Sequence, residues 1–324
     1  MKKRIKVLIT SAGSTNGVNV IKALRSQNEL SLSLIAVDAD PLAAGLYMTD
    51  KYYVVPKANA KNFISAILKI CNKEKVEIII PTFSYELPIF AKNKEIFKEN
   101  GIKIAISSYK TYLVTEDKIK TNEYFKRLKI PFLKIYTKED RKIKFPVIIK
   151  PIKASGSKGV IKVKNREELN FFRKYIKKSI IQECAIGDEY TIDGVSDFEG
   201  KMLAASPRIR LETKGGLAVK SITIEDLQMV NFTKKIVENL KVVGPFNVQC
   251  FKYKKSLRFV EINSRFPSGG LPLTVKAGLN IPLILIKLLL GKKIGKINIK
   301  TGIIMTRYWD SIILKKIKNK YQAI

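Results

Sequence analysis

The chain has 324 residues, 46% of them apolar and 27% charged, enough for two cores and too apolar to remain unfolded. Histidine is absent, which excludes Ser-His-Asp and Cys-His nucleophile systems, His-ligated zinc and imidazole proton shuttles. Lys and Arg total 61 against 28 acids, a formal charge of +33, but only eleven are Arg and the lysines run along the whole chain; this reads as solvated faces, since specific nucleic-acid contacts favour Arg.

Residues 5–10 (IKVLIT) read as a buried strand that ends in the loop SAGSTNG, followed by a helix with Val18, Ile21 and Leu24 inward. A second strand, LSLIAVDAD, ends in Asp38, Asp40 and a proline. The three-four spacing of Phe63, Ile64, Ile67, Leu68 and Cys71 predicts a helix, and VEIII a strand that stops at Pro81. A helix around 85–99 and the strand IKIAI complete a strand-helix alternation that implies a parallel sheet with helices on both faces.

A helix around 115–129 leads to FLKIYT, the strand PVIIKP, a Gly-Ser loop, the strand GVIKV and a helix from Arg166 to Ile176. Beyond 179 the strands IIQECAI, EYTIDGVSD and KMLAASPRIR follow without intervening helices. A helix at 226–240 precedes GPFNVQCFKY and SLRFVEINSR, joined by a lysine-rich turn at 253–256. Short turns between successive strands imply antiparallel pairing. The expected fold is therefore α/β followed by α+β.

Cys71, Cys184 and Cys250 lie far apart with no CxxC spacing, which suits a reducing compartment and argues against a disulfide framework or thiolate metal site. The apolar run near the start is too short for a signal sequence. The most apolar segment, 281–290, is about half a membrane span, so it reads as core or as a homodimer interface. The expectation is a cytoplasmic protein with neither membrane nor specific nucleic-acid partners.

Three segments carry chemistry. Alternate strand residues share a face, so Glu261, Asn263 and Arg265 point one way, with Phe259, Val260 and Ile262 as packing. On the strand before, Asn247 and Gln249 share a face opposite Phe246, Val248 and Cys250. If the two strands pair, a carboxylate, amide oxygens and an arginine converge on one surface, an oxygen set that suits Mg²⁺ and phosphates. The second segment runs from Lys150 to Val160 and contains Ser155, Gly156, Ser157, Lys158 and Gly159; its small residues expose backbone N–H groups to an anion and its lysines neutralise it. It lacks the P-loop spacing. The third, Gln182 to Tyr190, links two strands and offers free backbone groups followed by acids.

Taken in order, these segments resemble the ATP-grasp superfamily, and within it the carbamoyl-phosphate-synthase-like and pyrrolysine-synthesis-like carboxylate–amine ligases. The resemblance spans about residues 5–295 and includes SAGSTNG, VDADP with the later TDKYYVVP, and IIIPTFSYEL in the leading part. It implies a pre-ATP-grasp domain at 1–112, an ATP-grasp domain at 113–300 (small lobe about 115–181, large lobe about 182–300) and a C-terminal extension at 301–324. By the same likeness Lys118 and Lys150 contact ATP phosphates, Ser155 to Gly159 close over them, Glu183, Cys184, Ala185 and Ile186 hold adenine, and Glu189 the ribose. Gln249, Glu261 and Asn263 would bind Mg²⁺, or Mn²⁺ in its place, with Arg265, Lys150 and Arg210 as catalytic cations. The implied activity joins a small-molecule carboxylate to an amine through an acylphosphate. Carbamoyl-phosphate-synthase-like phosphorylation of bicarbonate or carbamate, and an inactive ATP-binding protein, are the alternatives. One departure is the missing histidine, which carbamoyl phosphate synthases carry near bicarbonate.

Two further stretches stand out. SAGSTNG has glycines only at 13 and 17, so the GxGxxG dinucleotide fingerprint fails; Asp38 and Asp40 lie where such a fold can bind ribose, while the resemblance implies an acceptor-substrate surface. Arg208, Arg210, Thr213, Lys214, Gly215, Gly216 and Lys220 combine cations with a glycine hinge, which suits a mobile cover over an anion; a surface hairpin turn accounts for Lys214 equally well.

Overall fold

The computed structural model describes residues 4–137, 140, 142–153, 156, 158–318 and 320–324. Strands β1 (Ile5–Ile9), β2 (Leu32–Asp38), β3 (Lys51–Val54), β4 (Ile78–Ile80) and β5 (Lys103–Ile104) form a sheet ordered β3-β2-β1-β4-β5, parallel at every pair. Along β1, Val7 and Ile9 face one core and Leu8 the other, the period-two split of a strand covered on both faces. Helix α1 (Thr15–Arg25) presents Val20, Ile21 and Leu24 to the first face, and α2 (Phe63–Glu74) presents Phe63, Ile67 and Cys71 to the second.

One expected helix is a pair of shorter ones. In place of one helix around 85–99 stand α3 (Leu87–Lys92) and α4 (Lys94–Glu99), separated at Asn93, whose amide donates to Ile89 O at 2.8 Å and competes with the helix ladder. The helix expected around 115–129 is α6 (Lys118–Arg127), and a further helix, α5 (Tyr109–Thr115), precedes it; the Asp117 carboxylate between them caps the N–H groups of Ile119 and Lys120.

The second half is antiparallel. Strands β6 (Ile135–Tyr136), β7 (Val147–Pro151), β8 (Ile161–Val163) and β9 (Ser179–Glu183) form a sheet ordered β6-β9-β7-β8, covered by α7 (Arg166–Tyr175) around Val147, Ile149, Leu169 and Ile181. A larger sheet, ordered β14-β13-β10-β11-β12-β15, comprises β10 (Asp188–Ser196), β11 (Met202–Lys214), β12 (Leu217–Thr223), β13 (Gly244–Tyr253), β14 (Ser256–Asn263) and β15 (Ile304–Thr306). Helix α8 (Leu227–Asn239) and α6 cover it around Phe125, Ile236, Phe246 and Phe259. Helices α9 (Leu271–Lys276) and α10 (Ile281–Leu289) follow, and β16 (Leu314–Ile317) pairs with β17 (Lys320–Ala323).

The apolar α10 belongs to the core and is not an open face. Leu283, Leu285 and Ile286 pack in the same cluster as Val20, Ile21 and Leu24 of α1, which seats the second half on the leading sheet and fixes a cavity between them. No helix among the described residues is long and apolar enough to cross a membrane.

Candidate active site

A cavity of about 730 Å³ lies where the two antiparallel sheets meet the leading domain. Its floor is the β13–β14 hairpin, in register Asn247↔Asn263, Val248↔Ile262, Gln249↔Glu261 and then Cys250↔Phe259. Val260 is the extra residue of a β-bulge. Strict alternation would place Phe259 on the face of Glu261; the bulge reverses that, so Phe259 is wholly buried in the core while Glu261 lines the cavity. Val260, expected in the packing, lines the cavity instead.

Asn247, Gln249, Glu261 and Arg265 all line this space. Asn263 is outside the lining: its Nδ2 donates to Asn247 Oδ1 at 3.1 Å, and Asn247 Nδ2 in turn donates to the Arg265 carbonyl at 3.5 Å. The amide that reaches the cavity beside Gln249 is therefore Asn247, with Asn263 behind it. Arg265 is held by its Nη1, which donates to Phe266 O at 3.1 Å and Ser268 Oγ at 3.0 Å. Burial lowers its pKa, against the opposing charges of Glu261 and Asp193.

Lys150 comes from β7 on the facing sheet and is only 7% exposed. Burial pushes its pKa down to about 8 and the charge of Lys118 adds to this, while Glu261 and Glu189 oppose it. Lys118, at the first position of α6, lines the same space, its Nζ 3.5 Å from Ile152 O. Gly156 and Lys158 line the cavity, Gly159 does not, and Ser155 and Ser157 lie outside the described residues. Gly156 has φ +68°, and a Cβ there would sit 3.6 Å from Gly215 O. The loop thus meets the tip of the β11–β12 hairpin, whose Lys214, Gly215 and Gly216 also line the cavity.

The β9–β10 linker supplies Glu183, Cys184 and Ala185, whereas Ile186 is 70% exposed and outside the lining. Glu183 is fixed to Lys134: its N–H donates to Lys134 O at 2.8 Å and its Oε2 accepts from Lys134 N at 3.2 Å. Gly187 follows at φ +91°, where a Cβ would stand 2.2 Å from Lys252 O, so the chain can turn back into β10 only with glycine. Glu189 is ion-paired with Arg210, which also donates to Gly216 O at 2.7 Å. Arg208 is buried with Asp193, Nε to Oδ2 at 2.7 Å, and Thr274 Oγ1 donates to the same oxygen at 3.0 Å. This pair braces the wall beneath Arg265.

The leading domain closes the cavity with Ser14, Thr15, Asn16, Phe83 and Ser84. Asp38 and Asp40 are not in the lining; Asp38 accepts the N–H of Gly13 at 2.8 Å and of Asp40 at 3.0 Å, so it braces the loop. Sequence reasoning singled out SAGSTNG, and it noted IIIPTFSYEL without giving Phe83 and Ser84 a role in the site. Their signal was position: they follow β4, which adjoins β1 where the strand order reverses, and ligands of such sheets gather at that crevice.

Comparison with known proteins agrees with this layout. Residues 7–105 match the family described as PylC-like, N-terminal domain, and residues 176–309 match ATP-grasp in the biosynthetic pathway with Ter operon. The carbamoyl phosphate synthase large chain of Clostridium botulinum (strain Loch Maree / Type A3) is 27% identical over 313 residues, covering 88% of this chain, and this chain spans only 28% of that relative. In fold, the chain is similar to the biotin carboxylase domain dimer of Hydrogenobacter thermophilus 2-oxoglutarate carboxylase, solved with MgADP, ADP and bicarbonate (TM-score 0.74, 16% identity, 92% of this chain and 73% of that one). It is similar also to Staphylococcus aureus N5-carboxyaminoimidazole synthetase complexed with ADP (TM-score 0.72, 14% identity, 93% and 81%) and to an L-amino acid ligase of Bacillus licheniformis (0.70, 16%, 89% and 75%). With a leading sheet that matches the PylC-like N-terminal family and a following part that matches an ATP-grasp family, around one cation-lined cavity, the chain is similar to ATP-grasp proteins in both halves and shares their fold.

Proposed function

We propose that the protein is an ATP- and Mg²⁺-dependent, ADP-forming ligase that joins a small-molecule carboxylate to an amine, with a pre-ATP-grasp unit at 1–112, a two-lobed ATP-grasp unit at 113–300 and an extension at 301–324. The observation that carries this reading is the convergence of Lys150 from one sheet with Gln249, Glu261 and Arg265 from the other in a single cavity. The donor set fits the groups it would hold. Gln249 and Glu261 are cross-strand partners offering hard oxygens that suit Mg²⁺, and Lys118, Lys150, Lys158 and Arg265 suit a polyphosphate. When bound, the metal supplies charge neutralisation at the phosphoryl oxygens. Asn247 replaces Asn263 in direct reach of the cavity, and Glu183, Cys184, Ala185 and Glu189 form the nucleoside end.

The chain's own work is electrostatic. A substrate carboxylate oxygen attacks the γ-phosphorus, the bond to the β–γ bridging oxygen breaks, and ADP leaves with that electron pair. Lys150 and Arg265 face the charge that accumulates, and Arg210 orients Glu189. The deprotonated amine then attacks the acyl carbon, phosphate departs, and the nitrogen sheds its second proton. No step needs a side-chain nucleophile, in keeping with a chain that lacks histidine. The leading-domain wall is the side on which the acceptor enters. Water must be kept from the acylphosphate, and the approach of Gly156 to Gly215, both in the cavity lining, supports a part for these two turns in excluding it. A homodimer and a reducing cytoplasmic setting complete the proposal, the latter supported by three unpaired cysteines.

The test is ADP release with pools of carboxylic acids and of amines, with and without Mg²⁺ and bicarbonate. Acid- and amine-dependent release supports the ligase. Release that needs bicarbonate alone would move the protein to carbamoyl-phosphate-synthase-like chemistry, and none with any pair would overturn the proposal.

A further inference from the structure

The cavity is electrostatically lopsided. Among the described residues, every cation that lines it lies beyond residue 117, whereas the leading-domain wall offers Ser14, Thr15, Asn16, Phe83 and Ser84. Phe83 is 39% exposed and Tyr85 65%, with ring centroids 5.2 Å apart and planes at 58°. Single exposed apolar residues are ordinary, but two neighbouring rings, of which Phe83 lines the cavity and Tyr85 extends from it, mark a surface that something covers.

The loop that carries these rings is tied down by buried polar groups. Thr82 Oγ1 donates to Thr10 O at 2.7 Å, and Asn16 Nδ2 donates to Thr82 O at 3.1 Å. At its other end Glu86 accepts from Thr10 Oγ1 and Ser11 Oγ, each at 2.6 Å. Phe83 and Tyr85 therefore stand between two fixed ends, and a ligand that covers them meets a preorganised face.

We infer that Phe83 and Tyr85 form the specificity surface for the amine substrate, and that this amine carries an aromatic or large aliphatic group; the inference rests on the ligase reading above. The acid must stand at the γ-phosphate beside Lys150 and Arg265, which leaves the leading-domain wall to its partner. An amine reaches the enzyme largely as a cation. The basic walls repel it, while a wall free of cations and faced with aromatic rings admits it. Once seated, its apolar group covers the rings and its nitrogen is directed toward the acylphosphate.

The experiment is a calorimetric titration of the full chain, with Mg²⁺ and a non-hydrolysable ATP analogue, using phenethylamine, isoamylamine and methylamine as probes, on wild type, Phe83→Ala and Tyr85→Ala. Wild type is expected to bind phenethylamine and isoamylamine at least ~10-fold tighter than methylamine, the order of discrimination an apolar subsite gives. Phe83→Ala should reduce that ratio to within about twofold, Tyr85→Ala should reduce it in part, and the affinity for the nucleotide analogue should stay within about twofold in both. Equal affinity for the three amines, no detectable amine binding, or a ratio unchanged in both variants would overturn the inference. ADP release separates this failure from that of the ligase: release that depends on an acid and a small amine, indifferent to Phe83→Ala, sinks the specificity surface alone, and no release with any acid and amine sinks the ligase reading.

Discussion

Lys150 offers the sharpest test of the site's electrostatics, because its position should cost the fold what it gives to catalysis. The side chain is 7% exposed and, among the described residues, has no carboxylate within ion-pairing distance. Its pKa falls from 10.5 to about 8, chiefly through burial. That displacement corresponds to ~3 kcal/mol lost by the folded state wherever the amine is charged in both states. Lys150→Met keeps the length of the side chain and removes the charge. In the absence of nucleotide at pH 7 it is expected to stabilise the protein by up to ~3 kcal/mol, a ceiling because Glu261 loses a nearby cation, and to raise the melting temperature by roughly 5–10 °C.

The sign fixes the pH dependence. Native Lys150 gives up its proton as pH passes about 8, while the unfolded chain keeps its own to about 10.5. The wild type therefore gains stability between those values, and the advantage of Lys150→Met fades over the same window. Scanning calorimetry at pH 7, 9 and 10.5 reads this directly. Saturating MgATP should reverse the ranking, since only the wild type retains the cation proposed to hold the phosphates. A variant less stable than wild type at pH 7, or a gain that stays constant to pH 10.5, would refute the assignment of a desolvated cation.

Other outcomes follow from the same geometry. Glu261→Gln should lower Mg²⁺-dependent ADP release by at least ~100-fold in a coupled assay while the melting temperature moves by only about 2 °C, because the carboxylate serves the ligand side of the hairpin. Asp193→Asn leaves Arg208 buried against a neutral amide, and denaturant titration should show a loss approaching the ~3–5 kcal/mol typical of a broken buried pair. Glu86, whose pKa burial raises from 4.5 to about 7 despite hydrogen bonds from Ser11 and Thr10, holds its proton in the folded state long after the unfolded chain has released its own. Wild type should therefore lose roughly 3 kcal/mol as pH rises from 4.5 through 7. Glu86→Gln should flatten that slope in urea titrations taken across the range.

The pairing that makes the site was legible in the sequence, because the period of a strand is short and the residues involved are chemically distinctive. Alternation set Asn247 with Gln249 and Glu261 with Asn263 and Arg265, their chemistry suggested that the two sets share a surface, and the structure makes Gln249 and Glu261 cross-strand partners. What alternation could not supply is the bulge. Phe259 and Glu261 have the same parity, yet one is wholly buried and the other lines the cavity, which only the extra residue Val260 permits. The bulge falls after Gln249↔Glu261, so the hairpin register counted from its turn is offset by one residue at the site. Asn263 still lies opposite Asn247, but it points behind that residue and hydrogen-bonds to it. An insertion of this kind leaves no compositional mark, since valine is as common in a regular strand as in a bulge.

The place of Phe83 in the cavity was illegible for a different reason. Phe83 is about 180 residues from Glu261 in sequence, and their sharing of one cavity depends on α10 packing against α1. No local pattern records such a contact. An apolar run like 281–290 shows only that it will be buried, not against what. Once the partner is seen to be α1, the consequences follow in order. The helix that begins at Thr15 is held against the second half, its first turn becomes a wall of the cavity, and the loop tied to that turn through Thr82 and to Thr10 and Ser11 through Glu86 brings Phe83 with it. On the proposed reading, the groups for phosphoryl transfer sit on two paired strands, whereas the choice of acceptor depends on how the two halves dock. Truncating α10 contacts, as in Leu285→Ala, should accordingly loosen the acceptor side first: amine affinity is expected to fall by more than nucleotide affinity, and equal losses of both would count against this division of labour.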